Sequence, residues 1–345
     1  MRLRRSSVEI PGISRRRRGK GFSYEDAGKP VRDAETLERI RALVIPPAWE
    51  EVWICADPLG HIQAAGTDAA GRRQYLYHAD WRVRRDAEKF DRMLAFAQAL
   101  PRLRERVALD LSVRGMPKDK ALACAVRLLD QGFFRVGSES YAKQNGSFGL
   151  ATLRKEHVKV QKDRIVFDFK AKSGVRRMQT VNDPTVAPLV RTMKRRRSGG
   201  RELLAYREGR GWRDVRSSDI NEYVRDAAGG EFTTKDFRTW HGTVLAAVCL
   251  ATGDKDANGA ASRKRIVSSS IREVAGYLGN TPAVARASYV DPRVVDRFLD
   301  GVTIAAALER LPVDEPDEPT DAIFREGVEA AVLDLLQDEP ATRAA

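Results

Sequence analysis

Tyr289 lies in the segment Leu278-Gly279-Asn280-Thr281-Pro282-Ala283-Val284-Ala285-Arg286-Ala287-Ser288-Tyr289-Val290-Asp291-Pro292, near the end of a basic chain. A phenol can attack a phosphodiester and hold the broken strand covalently. Direct displacement at phosphorus has three needs. A nucleophile must stand in line with the leaving oxygen. Cations must stabilise the extra negative charge on the non-bridging oxygens. A proton must reach the departing sugar oxygen. Arginine suits the second task, because its planar fork grips two oxygens at once. Lysine suits the third, since neighbouring cations lower its pKa. Arg135, Lys172 and Arg238 stand upstream as candidates. Each also has a plain structural reading. The tyrosine could pack in a core, Arg135 could be a helix-end charge, and Lys172 a solvated turn lysine. Arg238 could pair with Asp236 or Glu231.

These residues need elements to hold them. Residues 21–90 read as strands, with Val52-Trp53-Ile54-Cys55 and His61-Ile62-Gln63-Ala64 flanking the turn Asp57-Pro58-Leu59-Gly60. Further on, alternation puts Gln74 and Leu76 on one face and Tyr75 and Tyr77 on the other. Helical character starts around Trp81–Phe96, where a hinge is placed. Beyond it Leu100, Leu103, Val107 and Leu111 recur at helical spacing. Leu122, Val126, Leu129 and Phe133 do so again after Pro117, in a helix that ends just before Arg135. Residues 156–181 alternate as three strands, with Ala171-Lys172-Ser173-Gly174 as a turn that sets Lys172 at the tip of a small antiparallel sheet. Helices are expected over about 184–197, 218–228, 236–252 and 267–278, with a mobile loop over 253–265. Residues 1–20, centred on Arg15-Arg16-Arg17-Arg18, read as a flexible basic arm.

The chain has 345 residues, enough for roughly two domains with real cores. Its three cysteines and four histidines show no metal-ligand spacing, and an odd cysteine count does not make a disulfide framework. Buried thiols in a reducing, cytoplasmic compartment are expected. No apolar run approaches the ~20 residues of a membrane span, and no secretory leader is evident at the N-terminus. The net charge is +13, with ten acidic residues against two arginines in 311–345. So basic a body fits a polyanionic partner. Charge alone leaves nucleic acid, membrane surface and ribosome all open.

Five segments in order narrow that choice. They are Phe133-Phe134-Arg135-Val136-Gly137-Ser138-Glu139-Ser140-Tyr141, Gly149-Leu150-Ala151-Thr152-Leu153, Ala171-Lys172-Ser173-Gly174, Lys235-Asp236-Phe237-Arg238-Thr239-Trp240 and the Tyr289 segment. With them the chain resembles the type IB DNA topoisomerases, in the compact poxvirus-like form found in bacteria, over about residues 20–310. The resemblance implies an α+β fold: a small β-rich N-terminal domain over 21–90 and a mainly helical catalytic domain over 91–310 carrying a three-stranded antiparallel sheet. It implies Tyr289 as the nucleophile of a 3′-phosphotyrosyl link, Arg135 and Arg238 on the scissile phosphate, and Lys172 as general acid. Asn280 stands where many relatives carry histidine; its amide donates a hydrogen bond but carries no charge. Gln74, Tyr75, Tyr77 and Tyr141 match DNA-contact positions. The implied partner is double-stranded DNA, gripped by a monomeric clamp in the nucleoid, with no cofactor, ATP or metal.

Two rival readings remain at this level. A tyrosine recombinase shares the covalent chemistry, but usually carries His-x-x-Arg where this chain has Lys235-Asp236-Phe237-Arg238. A non-enzymatic DNA-binding protein would satisfy the charge and leave the Arg–Lys–Arg–Tyr order unexplained. Residues 311–345 read as an acidic tail, with a proline-broken linker (Pro312, Pro316, Pro319) and an amphipathic helix bearing Ile323, Val328, Val332 and Leu335. Its charge suggests a shield over the basic groove.

Overall fold

The computed structural model describes residues 2–253, 259–311 and 322–338. The chain divides into two compact units, Met1–Asp91 and Arg92–Ala345.

The first unit is built on a six-stranded antiparallel sheet. Its strands are β1 (Ile13–Arg18), β2 (Gly21–Asp26), β3 (Lys29–Pro30), β4 (Glu50–Ile54), β5 (Ile62–Thr67) and β6 (Arg73–Tyr77), in the order β3-β2-β1-β4-β5-β6. Helix α1 (Ala34–Ala42) starts at Asp33, whose carboxylate accepts from the Thr36 N–H at 2.8 Å, and it buries Ile40 against the sheet's inner residues Ile13, Val52, Ile54 and Ala64. The arginine run expected as a flexible arm is instead strand β1. Alternation explains the difference. Arg15 donates to the Ile45, Pro46 and Trp49 carbonyls and lies 4.1 Å from the Phe22 ring centroid. Arg16 pairs with Glu25 at 3.0 Å on the neighbouring strand. The run's backbone finds a partner along its whole length in β2, while β4 pairs with the strand's start at Ile13 and Ser14.

Helix α2 (Ala79–Ser112) runs unbroken through the residues expected to hold a hinge, and the boundary between units falls inside it. The second unit is mainly helical. Helix α3 (Lys118–Gly132) is its central rod, with Leu122, Val126, Leu128 and Leu129 all fully covered. After α4 (Glu139–Asn145) comes a three-stranded antiparallel sheet of β7 (Val158–Gln161), β8 (Arg164–Lys170) and β9 (Arg176–Asn182), order β7-β8-β9. Ile165, Phe167 and Phe169 alternate inward from β8, and the two phenylalanines pack on Phe134. Helix α5 (Val186–Arg195) and a hairpin of β10 (Ala205–Glu208) and β11 (Gly211–Asp214) follow. Then come α6 (Ser217–Ala228), α7 (Thr234–Gly253), α8 (Ala260–Leu278), α9 (Pro282–Tyr289), α10 (Pro292–Leu299), α11 (Ala305–Leu308) and α12 (Ala322–Gln337). The loop expected over 253–265 is shorter than that, because α8 already starts at Ala260; residues 254–258 lie outside the described residues. The proline linker of the tail lies outside them too, as does the Ile323 side chain. No described helix is long and apolar enough to cross a membrane.

Candidate active site

The site gathers where two helices end. Helix α3 stops because Phe133 takes a left-handed conformation, φ 53°, and reverses the chain. Phe134 then plugs the sheet, and Arg135 emerges on an extended stretch. Its backbone is fixed from behind: the Arg135 carbonyl accepts from Leu150 N–H and the Val136 carbonyl from Ala151 N–H, both at 2.8 Å. That clasp needs glycine. A Cβ on Gly149 would meet Gly137 Cα at 2.5 Å, and one on Gly137 would meet Gly149 Cα at 2.9 Å.

Lys172 sits on the single 3₁₀ turn between β8 and β9, exposed at the hairpin tip. The hairpin is anchored next to the Arg135 loop, since Phe148 N–H donates to the Lys170 carbonyl at 2.8 Å. Arg238 projects from α7 between the fully buried Phe237 and Trp240 and is itself only 4% exposed. It does not pair with Asp236, which is taken by Arg92 at 2.6 Å and by Thr233. Tyr289 is the last residue of α9, and its carbonyl accepts from Thr243 Oγ1 at 3.3 Å.

These elements bring Arg135, Lys172, Arg238 and Tyr289 to one cavity of about 340 Å³, joined by Tyr141 and Lys235. Four cations line it and, among the described residues, no carboxylate does. The guanidiniums are held by backbone instead. Arg238 donates to the Phe133 and Leu278 carbonyls, both at 2.8 Å. Arg135 donates to the Gly279 carbonyl at 2.9 Å and to Asn280 Oδ1. Arg177, on β9, donates to the Gly276 and Tyr277 carbonyls. Among the side-chain donors of Arg135, Arg238 and Asn280, two are buried without a partner among the described residues: Arg238 Nε and Asn280 Nδ2. Buried donors are rarely left so, and both belong to groups that can hold a phosphate oxygen.

The electrostatics follow from this crowding. The Arg238 guanidinium lies 5.0 Å from the Tyr289 ring centroid. Burial pushes the Tyr289 phenol up, but Arg238, Arg135 and Lys235 together outweigh it and draw the phenol below its ordinary value. Burial and then the Arg135 charge bring Arg238 down to about 10, and the same two causes bring Arg177 to about 10. The site therefore favours anions, first the phenolate and then any phosphate that enters.

Of the expected DNA-contact residues, Tyr141 lines the cavity from α4, whose cap is Ser138. Tyr75 and Tyr77 share the exposed face of β6, rings stacked with centroids 6.2 Å apart. Gln74 is on the other face and donates to Asp68 at 2.9 Å. Sequence reasoning missed Arg177 and Lys235. Arg177 gives no local signal, since its partners lie about a hundred residues away; Lys235 sat inside a quoted segment and was passed over for Arg238.

Comparison with known proteins decides the family. The model for the eukaryotic DNA topoisomerase I catalytic core matches residues 78–303, which hold all five candidate catalytic residues. The chain belongs to the type IB DNA topoisomerases. The model for the bacterial DNA topoisomerase IB N-terminal domain matches residues 21–68. A DNA topoisomerase 1B of Acanthamoeba polyphaga mimivirus is 33% identical over 288 residues, 81% of this chain and 85% of the relative. The DNA topoisomerase 1B of vaccinia virus (strain Copenhagen) is 22% identical over 291 residues, 82% and 88% of the two chains. This topoisomerase is thus an isomerase acting on DNA, and its α+β fold is that of the family. Helix α12 lies beyond the matched catalytic core.

Proposed function

We propose that the enzyme relaxes supercoiled duplex DNA through a 3′-phosphotyrosyl intermediate, without ATP or metal. The observation that carries this is the cavity itself: the Tyr289 phenol set among four cations, with no carboxylate among the described lining residues. Tyr289 gives up its proton to solvent water, and its Oη attacks the scissile phosphorus. The bond from phosphorus to the 5′-oxygen breaks, and Lys172 delivers a proton to that oxygen. Arg135 and Arg238 stabilise the charge gathered on the non-bridging oxygens. The orphan Arg238 Nε and Asn280 Nδ2 supply further hydrogen bonds there. The broken strand rotates about its partner, and the freed 5′-hydroxyl attacks the phosphotyrosine to restore the DNA. Bond energy is kept throughout, so no external energy source is needed.

In this reading one chain acts alone, both units closing on the duplex as a clamp. Tyr75 and Tyr77 offer an exposed aromatic pair for bases or sugars, and Tyr141 meets the backbone at the cavity rim. Gln74 reaches DNA only by giving up Asp68. The test is relaxation of supercoiled plasmid in EDTA without ATP, wild type beside Tyr289→Phe. Graded relaxation that vanishes in the variant supports the proposal. A folded, DNA-binding wild type that leaves the plasmid supercoiled overturns it.

A further inference from the structure

A buried charge network is built from residues that do not line the active-site cavity. Its hub is Asp130, in the last turn of α3. Arg104 of α2 grips the Asp130 carboxylate with two bonds of 3.0 Å and the Glu329 carboxylate with bonds of 2.7 and 2.9 Å. Arg325 donates to the Asp130 carbonyl and carboxylate, both at 3.3 Å. His241 Nε2 lies 3.4 Å from Asp130 Oδ1. Burial pushes Asp130 up, but Arg104 and Arg325 hold its carboxyl well below the usual carboxylate range. Two of these residues, Arg325 and Glu329, come from α12, which also buries Val328, Val332, Leu335 and Leu336.

The network touches both halves of one catalytic contact. Asp130 is three residues before Phe133, whose left-handed backbone is rare for a side-chain-bearing residue and must be held by its surroundings. The Phe133 carbonyl is the acceptor for Arg238 Nη1. His241 follows Arg238 by three residues on α7, hence on a neighbouring part of the same face, and its ring packs on Phe133 at 5.4 Å. Helix α12 therefore ties the α3 end that carries the acceptor to the α7 face that carries the donor. With two cations and two carboxylates the cluster is balanced; loss of Glu329 leaves a buried excess of positive charge.

We propose that α12 is a positioning element of the active site, with Glu329 and Arg325 fixing the Arg238 guanidinium through Asp130, Phe133 and His241. The inference rests on the role given to Arg238 under the proposed function. A C-terminal helix outside the matched catalytic core thereby sets the rate of strand cleavage without touching DNA.

The test is a double-mutant cycle on single-turnover cleavage, read as SDS-trapped covalent adduct on plasmid in enzyme excess, with DNA Kd measured alongside. Glu329→Gln, at a temperature where circular dichroism shows it folded, is expected to slow adduct formation about tenfold or more while Kd stays within about twofold. In an Arg238→Ala background the same substitution is expected to slow the residual rate less than about twofold, because the group it positions is gone. A merely structural role gives the same loss in both backgrounds, and that result overturns the proposal, as does a folded Glu329→Gln that cleaves at the wild-type rate. Should Glu329→Gln not fold, Arg325→Gln enters the same cycle under the same criteria, since it keeps the Arg104 fork on both carboxylates. A wild type that forms no adduct refutes the reading of the site itself, which separates the two failures.

Discussion

Deleting residues 312–345 removes ten acidic residues and leaves a more basic protein. As a charge shield, the tail should come off with tighter DNA binding as the main effect. The structure predicts a different outcome. Val328, Val332, Leu335 and Leu336 are each at most 7% exposed. At roughly 1.5–3 kcal/mol per buried aliphatic side chain, they represent about 6–12 kcal/mol, an upper range because unfolded chains bury some surface already. Arg104 also loses Glu329, and breaking one side of a buried pair costs about 3–5 kcal/mol. Domain stabilities are only about 5–15 kcal/mol. Even about 6 kcal/mol lost lowers Tm by roughly 12–24 °C for a unit of this size. Thermal unfolding followed by circular dichroism, full-length against the 1–311 chain, measures this. A truncated protein melting within about 3 °C of full length would refute the packing argument. Shielding is tested separately by neutralising Glu326, Asp334 and Asp338, which are exposed on or just beyond α12. That variant keeps the packing, so shielding shows as tighter binding at low salt with an unchanged melt.

Two further outcomes are expected. Lys235→Ala removes one of the cations that draw the Tyr289 phenol down, so the phenol rises and the acid limb of the cleavage rate–pH profile moves to higher pH. Profiles that superimpose would exclude Lys235 from the site's electrostatics. Gly279→Ala puts a Cβ 2.4 Å from Arg177 Nη1 on a backbone with φ +60°. It should cost about 1–2 kcal/mol in stability and, by shifting the Gly279 carbonyl that Arg135 uses, slow cleavage more than it weakens DNA binding; the pair of measurements is a chemical melt and single-turnover adduct formation.

The catalytic unit was largely legible because its signals are local. Leu122 to Phe133 mark α3 by spacing, and Ile165, Phe167 and Phe169 mark β8 by alternation. The hairpin tip that carries Lys172 follows from those strands. What stayed hidden depends on distant partners. Arg15 looks solvated until the carbonyls of residues 45, 46 and 49 are brought to it. Strands β10 and β11 are four residues each, too short for a period to show. Helix α1 hides in a segment read as strands, because its cap, Asp33 with Thr36, is a single contact. The tail helix was legible as an amphipathic element, but nothing in its pattern says that Arg325 meets Asp130 and Glu329 meets Arg104, about two hundred residues earlier.

A last prediction follows from how the site holds its positive charge. Burying Arg135, Arg177 and Arg238 together is unfavourable, and carboxylates would be the obvious remedy. The fold uses helix ends instead. The Phe133 carbonyl closes α3, and the carbonyls of Gly276, Tyr277, Leu278 and Gly279 close α8. A helix C-terminus carries about half a negative charge, spread over its free carbonyls. That is enough to hold guanidiniums in place, yet it leaves them short of a full counter-ion. Phosphate is then the first whole negative charge to enter from outside, and no carboxylate among the described lining residues competes with it. Asn280→Asp tests this directly. Its Oδ1 already accepts from Arg135, so the aspartate keeps the shape and, beside Arg135, stays ionised at neutral pH. It should therefore cleave more slowly than Asn280→Ala, which loses the amide but adds no anion. Single-turnover rates of the two variants decide the matter: an aspartate variant as fast as the asparagine enzyme, or faster than the alanine variant, would show that the absence of carboxylates from the site is incidental.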